Sequence, residues 1–410
     1  MSLKRVKFMR AELFGRMQEY SRDFMEKKRK YMEERLAAKQ VMGNMSLLAL
    51  KTGGVSFTLD GKMEEKFWQT APAAWLMPFA NKNVPGLQGV FKTAFDATNF
   101  YVAFRLSEPD MAHVTASGKT LPEDAYADNS VEIFLNPSGD FEHYAQVMIT
   151  SAGILGVRKG MVDQRTWHMS GKLVASAARA SVWRDDKGWG GELVVPRSEL
   201  GEMNPGGFPA NFCRNRAIGG KPVEYYSWSR LLEKGFHEIV NWGMVYMESD
   251  AVKPLARDGY FAGTVGPHGS GDWSFVPGTG AVVEVADSIF PKALKISSSG
   301  EGFTSAMQEV AGMKPETRYV LSFMVKTELG SGGATGFIFD GKRTYWLPGD
   351  KRHEELSGIT AWKQKYYVFK TDAGGDRYSI RLGILGGTGT AWFQNVSLIE
   401  LPGELPPRAE

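Results

Sequence analysis

One cysteine, Cys213, in 410 residues leaves no intrachain disulfide and no thiolate set for zinc. As a nucleophile it would need a histidine partner that the spacing does not supply, so a buried structural thiol is the expectation. Histidine is scarce too: six, scattered along the chain, with no spacing that suits a metal. No apolar run approaches the ~20 residues of a membrane helix, and the opening M-S-L-K-R carries no secretory signal. G-x-S-x-G, H-E-x-x-H and P-loop signatures are missing. Strong charge is missing as well. The net charge is +3, and residues 1–40 hold 12 Lys and Arg against 6 Asp and Glu, which leaves the remainder at −3. Mildly acidic folded domains argue against nucleic acid as the main ligand.

Glycine (47) and aromatic residues (12%) are plentiful, as suits many strands joined by turns. The length suits two domains, each able to bury a core. Residues 4–40 contain no proline and one glycine, and Val6, Leu13, Met17, Tyr20, Phe24 and Tyr31 form one apolar stripe. That pattern predicts a long helix with Lys27–Lys30 on its solvated side. Gly43 to Gly54 reads as a linker with a short apolar insert. The remainder alternates with period two and predicts an all-β fold of two antiparallel sandwiches. The expected division is 1–50 for helix and linker, 51–252 and 253–402 for the sandwiches, and 403–410 for a disordered tail.

In the first sandwich, Phe91, Thr93 and Phe95, then Phe100, Val102, Phe104 and Leu106, flank an Asp96–Asn99 turn as a hairpin. The run D-N-S-V-E-I-F-L (Asp128 to Leu135) sets Val131, Ile133 and Leu135 on one strand face and Glu132 and Phe134 on the other. A turn and a second alternating run, Tyr144 to Thr150, follow. A Glu amid such a strand is either part of a solvated sheet face or the floor of a ligand site. Trp68, Trp183, Trp189, Trp228 and Trp242 lie in or beside strands and are read as core. Glu192 in G-G-E-L-V-V-P is read as a satisfied structural carboxylate.

Five blocks carry a resemblance, in order. They are D-G-K-M-E-E-K-F-W (Asp60 to Trp68), F-D-A-T-N-F-Y-V-A-F (Phe95 to Phe104), D-N-S-V-E-I-F-L, G-W-G-G-E-L-V-V-P (Gly188 to Pro196) and Y-Y-S-W-S (Tyr225 to Ser229). Together, over about Val55 to Glu248, they resemble the carbohydrate-binding module family nine, a DOMON-like sandwich. That resemblance implies a sugar gripped between two aromatic rings and hydrogen-bonded by a Glu. The Glu position is Glu132; six residues earlier stands Tyr126, and the loop after S-W-S offers Phe236, with His237 beside it. The family's Arg on the next strand reads here as Met148, or Gln146 if the register slips.

Beyond Val252–Gly263, alternation in Leu321–Val325, Tyr378–Ile384 and Trp392–Leu398 sets up the second sandwich. Y-V-L-S-F-M-V-K (Tyr319 to Lys326), I-T-A-W-K-Q-K-Y-Y-V-F (Ile359 to Phe369) and G-T-A-W-F-Q-N-V-S-L (Gly389 to Leu398) resemble the jelly-roll carbohydrate-binding modules, of families four, nine and sixteen, appended to glycoside hydrolases. Trp346, in a loop dense in turn residues, with Tyr345, Asp340 and Arg343 near it, is the expected exposed platform there, and Trp273 a second. Trp362 and Trp392 are read as core. Where such modules place a calcium-binding Asp, this chain has Gln394, so a weak structural calcium or none is expected.

Sugar rings offer an apolar face edged by hydroxyls, so aromatics beside carboxylates and amides suit them. Glycoside hydrolysis needs two carboxylates set ~5–9.5 Å apart. Glu123, Asp124, Asp128 and Glu132 are close in sequence, but neither resembled family is catalytic. The reading is a non-catalytic carbohydrate-binding protein, accessory to a glycoside hydrolase and extracellular or periplasmic by resemblance. Two alternatives stay open: a haem-binding electron-transfer domain ligated by Met148 or Met111 with His113 or His143, and a scaffold without ligand.

Overall fold

The computed structural model describes residues 15–23, 26, 45–78, 87–117, 122–162, 169–204, 206–229, 231, 235–263, 265–266, 269–270, 272–275, 279–345, 356–375 and 377–402. The fold is all-β, with two sheets. The long N-terminal helix is not supported: the helix covers residues 15–23, and the stripe's Val6, Leu13, Phe24 and Tyr31 lie outside the described residues, as does the 403–410 tail. Among the described residues no helix is long and apolar enough to cross a membrane.

In the first sandwich the strands of four or more residues are β1 (Ser46–Lys51), β2 (Gly89–Phe95), β3 (Asn99–Ser107), β4 (Ser130–Leu135), β5 (His143–Thr150), β6 (Leu155–Val162), β7 (Met169–Leu173), β8 (Arg179–Arg184), β9 (Gly188–Pro196), β10 (Phe208–Arg216), β11 (Glu224–Ser227) and β12 (Gly243–Met247). Their order is β8-β9-β3-β2-β1-β12-β10-β4-β5-β6-β7, with β11 on the flank of β10. β1 joins the two halves, running parallel to β12 through Ser46–Ala49 and then to β2 through Leu50–Lys51. This corrects the expected linker. Ser46 to Leu50 are buried on both faces, so the run has no alternation to betray it. The β2–β3 hairpin forms in the expected register.

The ribbon folds over a core in which Phe91 stacks on Phe104 (5.4 Å between ring centres) and Phe212 (5.1 Å), with Trp189 edge-on to Phe104. Trp68, Trp189, Trp228 and Trp242 are fully buried, whereas Trp183 stays partly exposed beneath Arg105. Glu192 is buried and accepts from the backbone N–H groups of Asp60, Gly61 and Met63 and from Trp68 Nε1. Gly61 makes that turn possible. Its φ is +86°, and a Cβ there would sit 2.9 Å from the Ser181 carbonyl oxygen.

The second sandwich comprises β13 (Gly280–Glu284), β14 (Lys292–Val310), β15 (Arg318–Leu329), β16 (Gly333–Phe339), β17 (Ile359–Lys370) and β18 (Tyr378–Glu400), with short strands such as Trp273–Phe275 at its edge. β14 and β18 are long enough to serve both layers. Their N- and C-terminal halves pair crosswise, with a register break between Gly300 and Phe303. One layer is β13, the first half of β14, the second half of β18, β15 and β17.

The outer face of that layer packs on the first sandwich. Val320, Val368 and Ile399 join Tyr101, Val194 and Tyr246 in one cluster, and Met324 joins Trp75 and Val90 in another. Polar contacts fix the register. Asn395 donates to Ala73 O (3.0 Å) and accepts from Ala73 N (3.2 Å). Gln364 accepts from Trp75 N (3.1 Å), and Trp228 Nε1 donates to Tyr366 (2.9 Å).

Candidate functional site

The strands β10-β4-β5-β6-β7 contribute no residue to the second sandwich's interface clusters, whereas Met244 and Tyr246 of β12 do. Strand alternation sends Ser130, Glu132 and Phe134 of β4 to the outer face of these strands, together with Asn211, Cys213 and Asn215 of β10 and Tyr144, Gln146 and Met148 of β5. Arg158 of β6 stands opposite Gln146, and Tyr225 of β11 opposite Asn215. Their Val, Ile and Phe neighbours go to the core.

Glu132 is the charged centre. Asn215 Nδ2 donates to Oε1 at 2.7 Å, and Gln146 Nε2 donates to Oε2 at 2.6 Å. Asn215 also reaches Ser130 Oγ at 3.2 Å. The carboxyl is 6% exposed, and burial raises its pKa above the ordinary value, opposed by the two amides and by the charge of Arg158. One N–H per carboxylate oxygen leaves acceptor capacity for further hydroxyl donors. Cys213, directly opposite on β10, is buried, and its thiol is raised well above its usual value by burial and by Glu132.

An aromatic cluster borders this polar floor: Phe134, Tyr144, Phe236 and Trp242 with Ile239 and Met169. Trp242 Nε1 donates to Phe236 O (2.9 Å), which pins the loop. His237 meets Phe134 edge-on at 5.1 Å, and Tyr225, 47% exposed, meets Phe236 edge-on at 5.8 Å.

Of the residues expected from sequence, Glu132, Phe236 and His237 therefore share one face. Phe236 is 8% exposed, so its ring is a wall and not a free stacking plane. Tyr126 sits on the 3-10 turn Pro122–Ala127 ahead of β4, is 54% exposed, and makes no ring contact among the described residues. The exposed ring that meets Phe236 is Tyr225. Four residues escape a sequence reading of the site: Tyr225, Asn215, Arg158 and, in its bonded role, Gln146. Alternation in Y-Y-S-W-S already separates Tyr225 from the inward Tyr226 and Trp228. The register puts Met148 opposite Glu132, while the cation comes from the next strand over, as Arg158.

In the second sandwich Trp346 lies outside the described residues. Trp273 is not an exposed platform: it is 2% exposed, packs on Phe261 at 5.5 Å and donates to Arg257 O, because its short strand turns it inward. Tyr345 is tied in as well. Its hydroxyl donates to Asp340 Oδ2 (2.8 Å) and accepts from Asp372 N (3.2 Å), and burial with Asp340's charge pushes it up to about 12. Gln394 spans strands: it accepts from Ser288 Oγ (2.6 Å) and donates to Lys292 O (3.2 Å). Among the described residues no group of three or more His, Cys, Asp or Glu could hold a metal ion. His143 and Met148 project to opposite faces of β5, so those two do not form an axial haem pair. His113 and His143 each bond the aspartate three residues earlier.

Residues 59–245 match the family described as carbohydrate family 9 binding domain-like. Among solved structures, a family 9 carbohydrate-binding module from Caldicellulosiruptor kristjanssonii in complex with cellotriose is similar to this chain. It shows 16% identity and a TM-score of 0.37, over 52% of this chain and 100% of that one. The same module in complex with glucose gives 16% identity and 0.37, over 50% and 97%. The family 22 xylan-binding domain from Paenibacillus barcinonensis gives 12% identity and 0.28, over 38% and 99%. No curated protein matches the chain.

Proposed function

We propose that the chain is a non-catalytic carbohydrate binder whose first sandwich takes sugar on the outer face that carries Glu132. The observation that carries this reading is the hydrogen-bonded set Glu132, Asn215 and Gln146 beside Arg158, in a sandwich that matches the family 9 domain. The carboxylate accepts from sugar hydroxyls, the amides hold it in one orientation, the charge of Arg158 favours its ionised form, and Tyr225 beside Phe236 offers the ring's apolar face a surface. His237 borders the same site. Affinity per site is low, and the work is to hold a glycan near chemistry done elsewhere, by a glycoside hydrolase fused to or acting beside this chain. Such a role belongs outside the cytoplasm, in the periplasm or beyond. Titration with neutral oligosaccharides, followed by tyrosine and tryptophan fluorescence, tests the reading. A saturable change is expected; a flat response to every oligosaccharide contradicts it and favours a scaffold.

A further inference from the structure

Trp392 and Trp362 do not join the core of the second sandwich; both are partly exposed on the outer face of the β13-β14-β18-β15-β17 layer, Trp362 with one side packed on the Trp75–Met324 cluster of the joint. The first sandwich covers only part of that face. The row Gln394, Met324 and Gln364 is buried or bonded against it. The next row, Lys295, Trp392 and Lys326 in register across three strands, stays accessible. Beyond it come Ser297, Thr390 and Glu328, with the Ser297 and Thr390 hydroxyls 3.2 Å apart.

These side chains are tied together. Lys326 Nζ lies 4.9 Å from the centre of the Trp392 ring and Lys295 Nζ 6.0 Å. Lys326 also bonds Asp287 Oδ2 at 2.7 Å, and the other oxygen of Asp287 accepts from Trp362 Nε1 at 3.4 Å. Glu328 stands 3.9 Å from Lys326. One carboxylate thus orients one indole and the lysine beside the other. A solvated strand face has no need of the Trp392 indole, which costs more to leave in water than any polar residue.

We propose that this shelf is a second carbohydrate site, and that its occupant is an uncharged oligosaccharide. The charge balance selects the occupant: Lys295 and Lys326 against Asp287 and Glu328 leave no net charge to draw a polyanion. Donors and acceptors interleave around the rings as hydroxyls require. The shelf shares the carbohydrate-binding reading of the first sandwich but none of its residues.

The full chain is titrated calorimetrically with cellohexaose, with xylohexaose and with hexagalacturonate, in the parent, Glu132→Gln, Trp392→Ala and the double variant. Trp392→Phe, which keeps a ring, and each variant's melting temperature separate binding from folding. Glu132→Gln is expected to retain one neutral-sugar site per chain. Adding Trp392→Ala weakens that site at least tenfold, while Trp392→Phe largely restores it. Neutral-sugar binding indifferent to Trp392→Ala overturns the proposal; so does binding of hexagalacturonate alone, or of no probe. Loss of all binding in Trp392→Ala with none in Glu132→Gln removes the first site and leaves this one standing.

Discussion

Lys92 and Glu132 stand in mid-strand on the two opposite outer faces of the first sandwich, and each is almost buried, at 4% and 6% exposure. Their surroundings differ in kind. Lys92 lies under the second sandwich: its Nζ donates to Trp68 O at 2.5 Å and sits 4.1 Å from the Tyr260 ring centre and 5.4 Å from that of Phe290. Burial lowers its pKa to about 7, since one carbonyl and two ring faces replace less than the lost hydration. A cation–π contact contributes ~0.5–2 kcal/mol, and burial of a lysine costs more. Glu132 instead has amide donors fixed on both oxygens and an exposed ring nearby. A charge sealed by rings serves the joint between the sandwiches; the carboxyl held by amides on the opposite face is the one proposed to meet a ligand.

Lys92→Met is expected to sharpen this contrast most. The folded pKa lies below the unfolded one, so below pH 7 both states hold the proton and the full cost of burying it is present. Between pH 7 and about 10.5 only the unfolded chain binds it, and parent stability rises with pH. At ~1.4 kcal/mol for each pH unit between the folded and unfolded pKa, Lys92→Met gains on the order of a few kcal/mol over the parent at pH 6, and the gap narrows towards pH 10. Urea unfolding across that range reads it, and a constant gap contradicts the assignment.

A smaller loss is expected from Asn395→Ala. It strips two hydrogen bonds from Ala73 in a buried joint and destabilises by ~1–3 kcal/mol, with faster hydrogen exchange along Ala71–Trp75. The smallest effect belongs to the Glu132 face. Tyr225→Ala removes one aromatic surface worth ~0.5–1.5 kcal/mol, so sugar affinity falls a few-fold to about tenfold while melting stays within a degree or two.

The hairpins and the Glu132 strand are legible in the sequence because half-buried strands alternate, and alternation survives without an alignment. What stays hidden follows from breaks in that rule. β1 loses its signal by being buried on both faces. Alternation places Trp392 with Val396 and Leu398 in one inward row, but Asn395 takes φ +49° and the register slips between the pairs Ser322–Ser397 and Met324–Gln394. That bulge inverts the facing of everything before it, turning Phe393 in and Trp392 out. At the site, Glu132 is legible from its own strand. Its partners Asn215, Gln146 and Arg158 come from three other strands, and only the pairing register brings them together. Trp273 misleads because a G-S-G-D-W context reads as an exposed turn, while the packing on Phe261 is a long-range fact.

The most direct measurement is an oligosaccharide titration at pH 7 of Glu132→Gln beside Lys92→Met. A charge-assisted hydrogen bond is worth ~1.5–3 kcal/mol. Glu132→Gln is therefore expected to weaken the first-sandwich site by about ten- to a hundredfold with its melting temperature little changed, and Lys92→Met to bind as the parent does. Equal affinity in Glu132→Gln and the parent, or a loss confined to Lys92→Met, would contradict the assignment of the Glu132 face as the one that meets sugar.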